Sequence, residues 1–387
     1  MALRSAPGLA QPLTRRVRPG AEFAVDAIAR LAREHRAIDL GLGAPDYPPP
    51  PEVVEAAANA VRGHFGYPDP WGTIALRQAV ADSLRRHHGL EFDPRTEITV
   101  TCGATEALFL ALAVTLSPCD EVICFEPSYE GFPPAIMACE AVQRMVRLHR
   151  PTTWQGPWLF DPAELAAACT PRTRAVLLNS PHNPTGKVFS ATELQLIADL
   201  CQRHGLFCIC DEVYEHLVFD GRRHVSMVQV EGMRERTFLI GSLSKTFGVP
   251  GWRLGYVAAS PLLTSYLRAL NDVAAGGVAS PLQVAAITAL QLPDTYFAAL
   301  KSDTERRRGQ LCQALEGVGL KCFVPEGAWY VLADIRSIGY GGSDVEFIRH
   351  LVCDIGVAAA PGSAFSAATQ DLVRFCCGKS DALLIAA

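Results

Sequence analysis

Short apolar runs alternate along this chain with longer stretches in which apolar residues recur at helical spacing. "EITVTC" precedes "TEALFLALAVTL", and "RAVLLNSP" precedes "ATELQLIADLCQRHG". "EVICFEP", "LFCICDEVY", "TFLIGS" and "RLGYVAAS" repeat the short pattern. A nearly continuous apolar run marks a strand covered on both faces, and helices between such strands supply the cover. The alternation predicts a three-layer α/β/α body around a mostly parallel sheet. In sheets of that kind, ligands collect beyond the carboxyl ends of the strands. The polar residues that follow each run are therefore the ones to read for chemistry.

Past residue 285 the pattern changes. A long amphipathic stretch, "PDTYFAALKSDTERRRGQLCQALEGVG", and the strand-like runs "AWYVLADI" and "VRFCCG" predict a second, smaller α/β domain. We assign residues 43–285 to the large domain, and residues 1–42 together with 286–387 to the small one. Pro-rich "DYPPPPEVV" reads as the link between the N-terminal arm and the large domain. A chain of 387 residues is long enough for one large core and a lesser one.

Composition narrows the partners. Lys and Arg total 35 against 40 Asp and Glu, a formal charge of −5 that offers no footing for nucleic acid or an anionic membrane. The basic run Arg306-Arg307-Arg308 is short and reads as a solvated helix face. No apolar run reaches the ~18 residues of a membrane helix. The opening "MALRSAPGLAQPLTRRVRPG" lacks the apolar segment of a secretory signal. Arg-containing and free of acids, it suits either a transit peptide or an arm on the folded body. Thirteen cysteines, scattered through apolar runs, fit neither a disulfide framework nor a zinc pattern. They predict reduced thiols in a cytoplasmic protein, with no metal site.

At the strand ends, "TCGATEALF" puts Gly103, Ala104 and Thr105 at the start of a helix, where free N–H groups and a hydroxyl suit a phosphate. Thr105 serves equally well as a helix cap. "LLNSPHNPTGKVF" supplies Asn179 and Asn183 around an Asn-Pro turn that is otherwise mere punctuation. "CICDEVYEH" ends a strand in Asp211, with Tyr214 just beyond. An acid in such a run needs a partner, either a bound cation or a protonated ring nitrogen. "IGSLSKTFGVPGWRLGY" follows "TFL" with Ser242, Ser244, Lys245 and Arg253. A lysine amine loses its proton, and becomes a nucleophile toward carbonyls, when desolvated or set beside positive charge. Hydroxyls and a guanidinium are what a phosphate dianion needs.

A phosphate cradle, a carbonyl-trapping amine, an acid for a ring nitrogen and donors for a ring hydroxyl are together the demands of pyridoxal 5′-phosphate. With these motifs in this order, the chain resembles the fold-type I pyridoxal-phosphate enzymes of the class I/II aminotransferase family. The likeness is greatest to the branch with kynurenine, glutamine and methionine aminotransferases and cysteine-conjugate β-lyases, and runs from "AIDLGLGAPDYPPP" to "VRFCCGKSD".

The resemblance implies that Lys245 forms the Schiff base with the cofactor and moves the substrate proton, while Asp211 pairs with the pyridine nitrogen. It gives Asn183 and Tyr214 to the ring hydroxyl. The phosphate falls to Gly103, Ala104, Thr105, Ser242 and Arg253, with Tyr67 reaching it from a neighbouring subunit of a homodimer. Tyr129 would stack on the ring. Arg374 would bind the substrate α-carboxylate, helped by Asn179 and the backbone at Gly43. "PEGAWYVLADI" and "PGSAFS" fit the family's small domain and are assigned structure, not chemistry.

Some positions depart from the family. Val25 stands where relatives with aromatic substrates carry a tryptophan, and a pocket aromatic from the neighbouring subunit is replaced near Val278. Together these imply a roomier, less aromatic pocket. His182 is either a turn residue or a pocket acid/base. The chain ends at "DALLIAA", partway through the family's last helix.

The implied reaction is ping-pong amino transfer between an L-amino acid and a 2-oxo acid. The alternative on the same fold is β- or γ-elimination, replacement or cyclisation, since the pocket decides the fate of the deprotonated substrate. A regulator built on this fold would need a DNA-binding module that the N-terminal segment is too short to supply. A dinucleotide-dependent oxidoreductase fails because "GLGAPD" has Asp46 where the third glycine of the fingerprint belongs.

Overall fold

The computed structural model describes residues 14, 16, 17, 22–63 and 65–387. Most of the arm expected over residues 1–20 lies outside the described residues. The strands, in chain order, are β1 (Ile38–Asp39), β2 (Ile98–Thr101), β3 (Glu121–Glu126), β4 (Val142–Arg147), β5 (Thr173–Asn179), β6 (Phe207–Asp211) and β7 (Thr237–Ser242). They continue with β8 (Gly255–Ala258), β9 (Lys321–Phe323), β10 (Tyr330–Asp334), β11 (Val357–Ala358), β12 (Ala360–Pro361) and β13 (Leu372–Cys376).

Seven of them form one sheet in the order β2-β8-β7-β6-β5-β3-β4. The pairs β3–β4, β3–β5, β5–β6 and β6–β7 are parallel. Only β8 runs against its neighbours β7 and β2, so the sheet is mostly parallel, as the apolar runs predict. The reversal of β8 left no mark in the sequence, because a buried strand is apolar in either direction.

Alternation along the strands builds two cores. Val176, Leu178, Cys208 and Cys210 pack with the helix Ala191–His204 on one face, through Leu194, Ile197 and Ala198. Ala175, Leu177 and Ile209 face the other way, onto Ala107, Leu110 and Ala111 of the helix Gly103–Thr115. Successive side chains of a strand point to opposite faces, so a parallel strand feeds both layers. The helix Ala191–His204 begins with a capping box, in which Ser190 and Glu193 each satisfy the other's backbone N–H, and ends on Gly205 in the left-handed region.

The remaining strands make a four-stranded antiparallel sheet, β12-β13-β10-β9, with Trp329, Val331, Ala333 and Cys376 in its core. The parallel pair β1–β11 fastens the N-terminal segment to this region. Leu40 O accepts the Cys376 N–H at 2.7 Å. The Pro-rich stretch read as a linker instead opens the helix Pro51–Val61. Proline suits a first turn, where its missing N–H costs nothing. All thirteen cysteines are free thiols. Among the described residues no helix is long and apolar enough to cross a membrane.

Leu194 is fully buried while Leu196, on the same helix, is 37% exposed. Leu194→Ala should lower stability by ~2–5 kcal/mol in denaturant unfolding, and Leu196→Ala by no more than ~0.5 kcal/mol. Equal losses would mean the helix is seated on a different face.

Candidate active site

Strand register gathers the chemistry. Asn179 pairs with Asp211 across β5–β6, and Gly255 pairs with Ser242 on one side and Thr101 on the other. The ends of β5, β6, β7 and β2 therefore lie in a row, and a cavity of about 450 Å³ opens beyond them. That is the size of a small-molecule site. Its walls include Gly43, Ala104, Thr105, Tyr129, Asn179 and Asn183. Asp211, Tyr214, Ser242, Lys245, Arg253 and Arg374 complete the predicted set found there.

At one end sits the helix Gly103–Thr115, whose N-terminus has no side-chain cap. Its first N–H groups remain available to an anion, and the helix dipole favours one there. Two glycines make this approach possible. A Cβ on Gly255 would lie 2.6 Å from Ala104 N, so only glycine lets the helix end rest on β8. A Cβ on Gly103, whose φ is +79°, would come within 2.4 Å of the Arg253 guanidinium. Arg253 itself stands in the left-handed region and donates to Pro250 O at 2.9 Å. Ser242 Oγ accepts the Ser244 N–H at 3.1 Å, which turns β7 into the short helix that carries Lys245.

Lys245 Nζ donates to Gly43 O at 2.6 Å and lies 5.5 Å from the Trp329 ring centre. Desolvation, partly countered by Cys376 and reinforced by Arg374, pulls its pKa down to about 8. Nearby Asp211 is pushed up to about 6, chiefly by desolvation. Its carboxylate accepts only a long 3.4 Å bond from Val213 N. An acid so placed wants a cationic N–H partner. Asn179 braces the end of β6 by donating to Asp211 O at 2.9 Å and accepting from Asn183 N at 2.7 Å.

Arg374 occupies the opposite end, buried, with its guanidinium 4.2 Å from the Tyr330 ring centre and 4.5 Å from that of Phe365. It donates to Asn183 Oδ1 at 2.8 Å and Gly41 O at 2.7 Å, and its buried Nε has no partner. Asn179 and Gly43, expected beside Arg374 at the α-carboxylate, both line the cavity, where Asn179 holds β6 and the Gly43 carbonyl receives Lys245. Tyr214 OH shares a 2.6 Å hydrogen bond with Tyr330 OH. Tyr330 lies in the "AWYVLADI" run assigned to structure alone, yet it lines the cavity and covers Arg374. Its position in an alternating strand gave no sign of this. Tyr47, also unanticipated, donates its hydroxyl to Lys245 O at 2.9 Å.

Other expected residues fall elsewhere. Tyr67 is fully exposed, and Gly103 lies behind the cavity wall, packed toward the Arg253 guanidinium. Val25 lines the cavity. Val278 is buried in a core with Ala285 and Ala286. His182 bonds Thr185 Oγ1 at 2.8 Å inside its turn. Burial, then Lys187, drives its pKa down to about 3; it is a neutral turn residue.

The uncapped helix end, with Ala104, Thr105, Ser242 and the Arg253 guanidinium around it, fits a phosphate. The unpaired Asp211 fits a protonated ring nitrogen, and the spare Nε of Arg374 a carboxylate. Comparison with known proteins identifies the family. Residues 35–387 match the family described as aminotransferase class I and II. The chain is 39% identical over 355 residues to a probable N-succinyldiaminopimelate aminotransferase of Mycobacterium tuberculosis, covering 90% of this chain and 87% of that protein. It is 34% identical to human kynurenine–oxoglutarate transaminase 1, covering 92% of each. The crystal structure of Escherichia coli YbdL, whose reactivity identifies a methionine aminotransferase function, superposes with a TM-score of 0.91. That match has 33% identity and covers 97% of both chains.

In cofactor-free protein, an amine-reactive reagent should label Lys245 with a pH midpoint near 8, against ~10.4 for an ordinary lysine. The negative charge of Asp211 favours the protonated amine, so Asp211→Asn should move the midpoint further down. Mass-spectrometric quantification of the label across pH checks both; an unshifted midpoint would contradict the desolvated site.

Proposed function

Starting from the fact that this chain belongs to the class I and II aminotransferase family, we propose that Lys245, Asp211 and Arg374 are its principal working residues. The protein is a pyridoxal 5′-phosphate-dependent aminotransferase that passes an amino group between an amino acid and a 2-oxo acid. Relatives at this level of identity are transaminases, which favours transfer over elimination, replacement or cyclisation. The observation that carries the residue assignment is the placement of Lys245 and Asp211 at the ends of adjacent strands, in one cavity with Arg374.

When bound, the cofactor supplies an aldehyde carbon to which amines add, and a ring that accepts the electron pair released at the substrate Cα. Ala104 and Thr105 N–H groups, Ser242 and Arg253 would hold its phosphate. Asp211 would accept a hydrogen bond from the ring nitrogen and keep it protonated. Asn183 and Tyr214 would serve the ring hydroxyl, and Tyr129 would cover the ring. Lys245 would hold the cofactor through its aldehyde carbon, and its Nζ, already easily deprotonated, would move the proton between the substrate Cα and that carbon. Arg374, fixed by Asn183 and Gly41, orients the α-carboxylate so that the Cα proton faces Lys245.

We further propose a large domain of residues 43–285 and a small one of 1–42 with 286–387. Full exposure of Tyr67, away from its own cavity, supports its use by a second copy in a homodimer. Thirteen free cysteines support a reducing, cytoplasmic location.

Lys245→Ala should abolish both turnover and the cofactor adduct that borohydride fixes; an adduct surviving in the variant would remove Lys245 from this role. With wild-type enzyme, amino donor alone should convert the cofactor to its pyridoxamine form. Arg374→Ala should lower kcat/KM by ~2–4 kcal/mol, roughly 30- to 700-fold; an unchanged value would take Arg374 out of the site. Mixing Lys245→Ala with Tyr67→Ala chains should restore activity, because one site of the hybrid regains both residues. Failure of two folded, assembling variants to complement would argue against a shared site.

A further inference from the structure

Behind the loop that carries Tyr214 lies a cluster the aminotransferase chemistry does not use. His88 ends the helix Ile74–His88, and Glu215 and His216 follow Tyr214 in the chain. Their side chains are 10%, 9% and 11% exposed. Glu215 stands between the two imidazoles: His88 Nε2 lies 3.0 Å from its Oε2, and His216 Nε2 lies 3.5 Å from its Oε1. One donor atom from each of the three falls within a 4.8 Å span. Bonds of ~2.0–2.2 Å to one tetrahedral ion would set neighbouring donors about 3.4 Å apart.

His88 Nε2 and Glu215 Oε2 are both buried and meet as an ion pair at 3.0 Å, but with a direction poor for a hydrogen bond. A better-directed partner for both atoms would satisfy them more fully. Next to them, the His224 ring lies 5.6 Å from that of His88. Its Nε2 is engaged by Glu212 at 2.7 Å, and its buried Nδ1 has no partner. A carboxylate holding one imidazole nitrogen while the other is left open is the arrangement that orients histidines toward metals.

We propose that His88, Glu215 and His216 form a binding site for a divalent transition metal, of which zinc suits two imidazoles and a carboxylate best. The ion would tie the end of the helix Ile74–His88 to the loop after β6, and so fix the loop that sets Tyr214 in the cavity wall. The sequence hides the site because its ligands are distant in the chain and match no short metal motif.

The test is a cobalt titration of chelator-treated holoenzyme. The expected result is one Co²⁺ per chain with visible ligand-field bands, displaced by Zn²⁺, and a melting temperature raised by Zn²⁺. Glu215→Gln and His216→Ala should each weaken Co²⁺ binding by roughly 100-fold or more, while exposed His204→Ala should not. Absence of both bands and a thermal shift in wild type at millimolar metal would overturn the proposal. So would undiminished binding by folded Glu215→Gln and His216→Ala, which would locate the metal elsewhere, for instance on the cofactor.

Discussion

A carboxylate brought to the end of a buried strand, with a single long hydrogen bond to hold it, governs the arrangement around it. Asp211 has given up most of its water and is pushed toward neutrality. That condition becomes an advantage only if a proton-bearing nitrogen is placed against it, since a desolvated charge gains far more from a partner than an exposed one. Lys245 meets the same constraint with opposite sign: desolvation lowers its pKa to about 8 and makes the amine available. The two perturbations belong together, because one water-poor cavity creates both.

Rigid elements hold this pair in place. Parallel pairing aligns Asn179, Asp211 and the end of β7, so the carboxylate, the amine and their supports come from neighbouring strand ends. Gly255 lets an uncapped helix end settle on β8, and Gly103 leaves room for the Arg253 guanidinium. Side chains at either place would close the anion cradle by contact. On the far side, β1 paired with β11 carries Gly41 and Gly43 back across the cavity, where their carbonyls receive Arg374 and Lys245. The N-terminal segment and the antiparallel sheet thus both contribute to a site founded on the large sheet.

The loop after β6 faces two ways. Tyr214 points into the cavity, whereas Glu215 and His216 join histidines from the helix Ile74–His88 and from residue 224. Consecutive residues thus face the cavity wall on one side and a polar cluster behind it on the other.

The sequence determined the strand–helix alternation, the mostly parallel sheet and the identities of Lys245 and Asp211 as unusual polar residues at strand ends, while Arg374, in the middle of β13, stood out only through the family resemblance. These are local signals: apolar periodicity and a charged side chain at the edge of an apolar run survive in one dimension. Only the tertiary structure decided that β8 is reversed, that Tyr330 bonds Tyr214 and covers Arg374, and that Asn183 holds the guanidinium. It alone brought His88 to Glu215 and His216. Each of these depends on which elements are neighbours, a matter of packing between segments far apart in the chain. The residue types involved, a tyrosine in an alternating strand or a histidine at a helix end, are equally at home where they touch nothing of consequence.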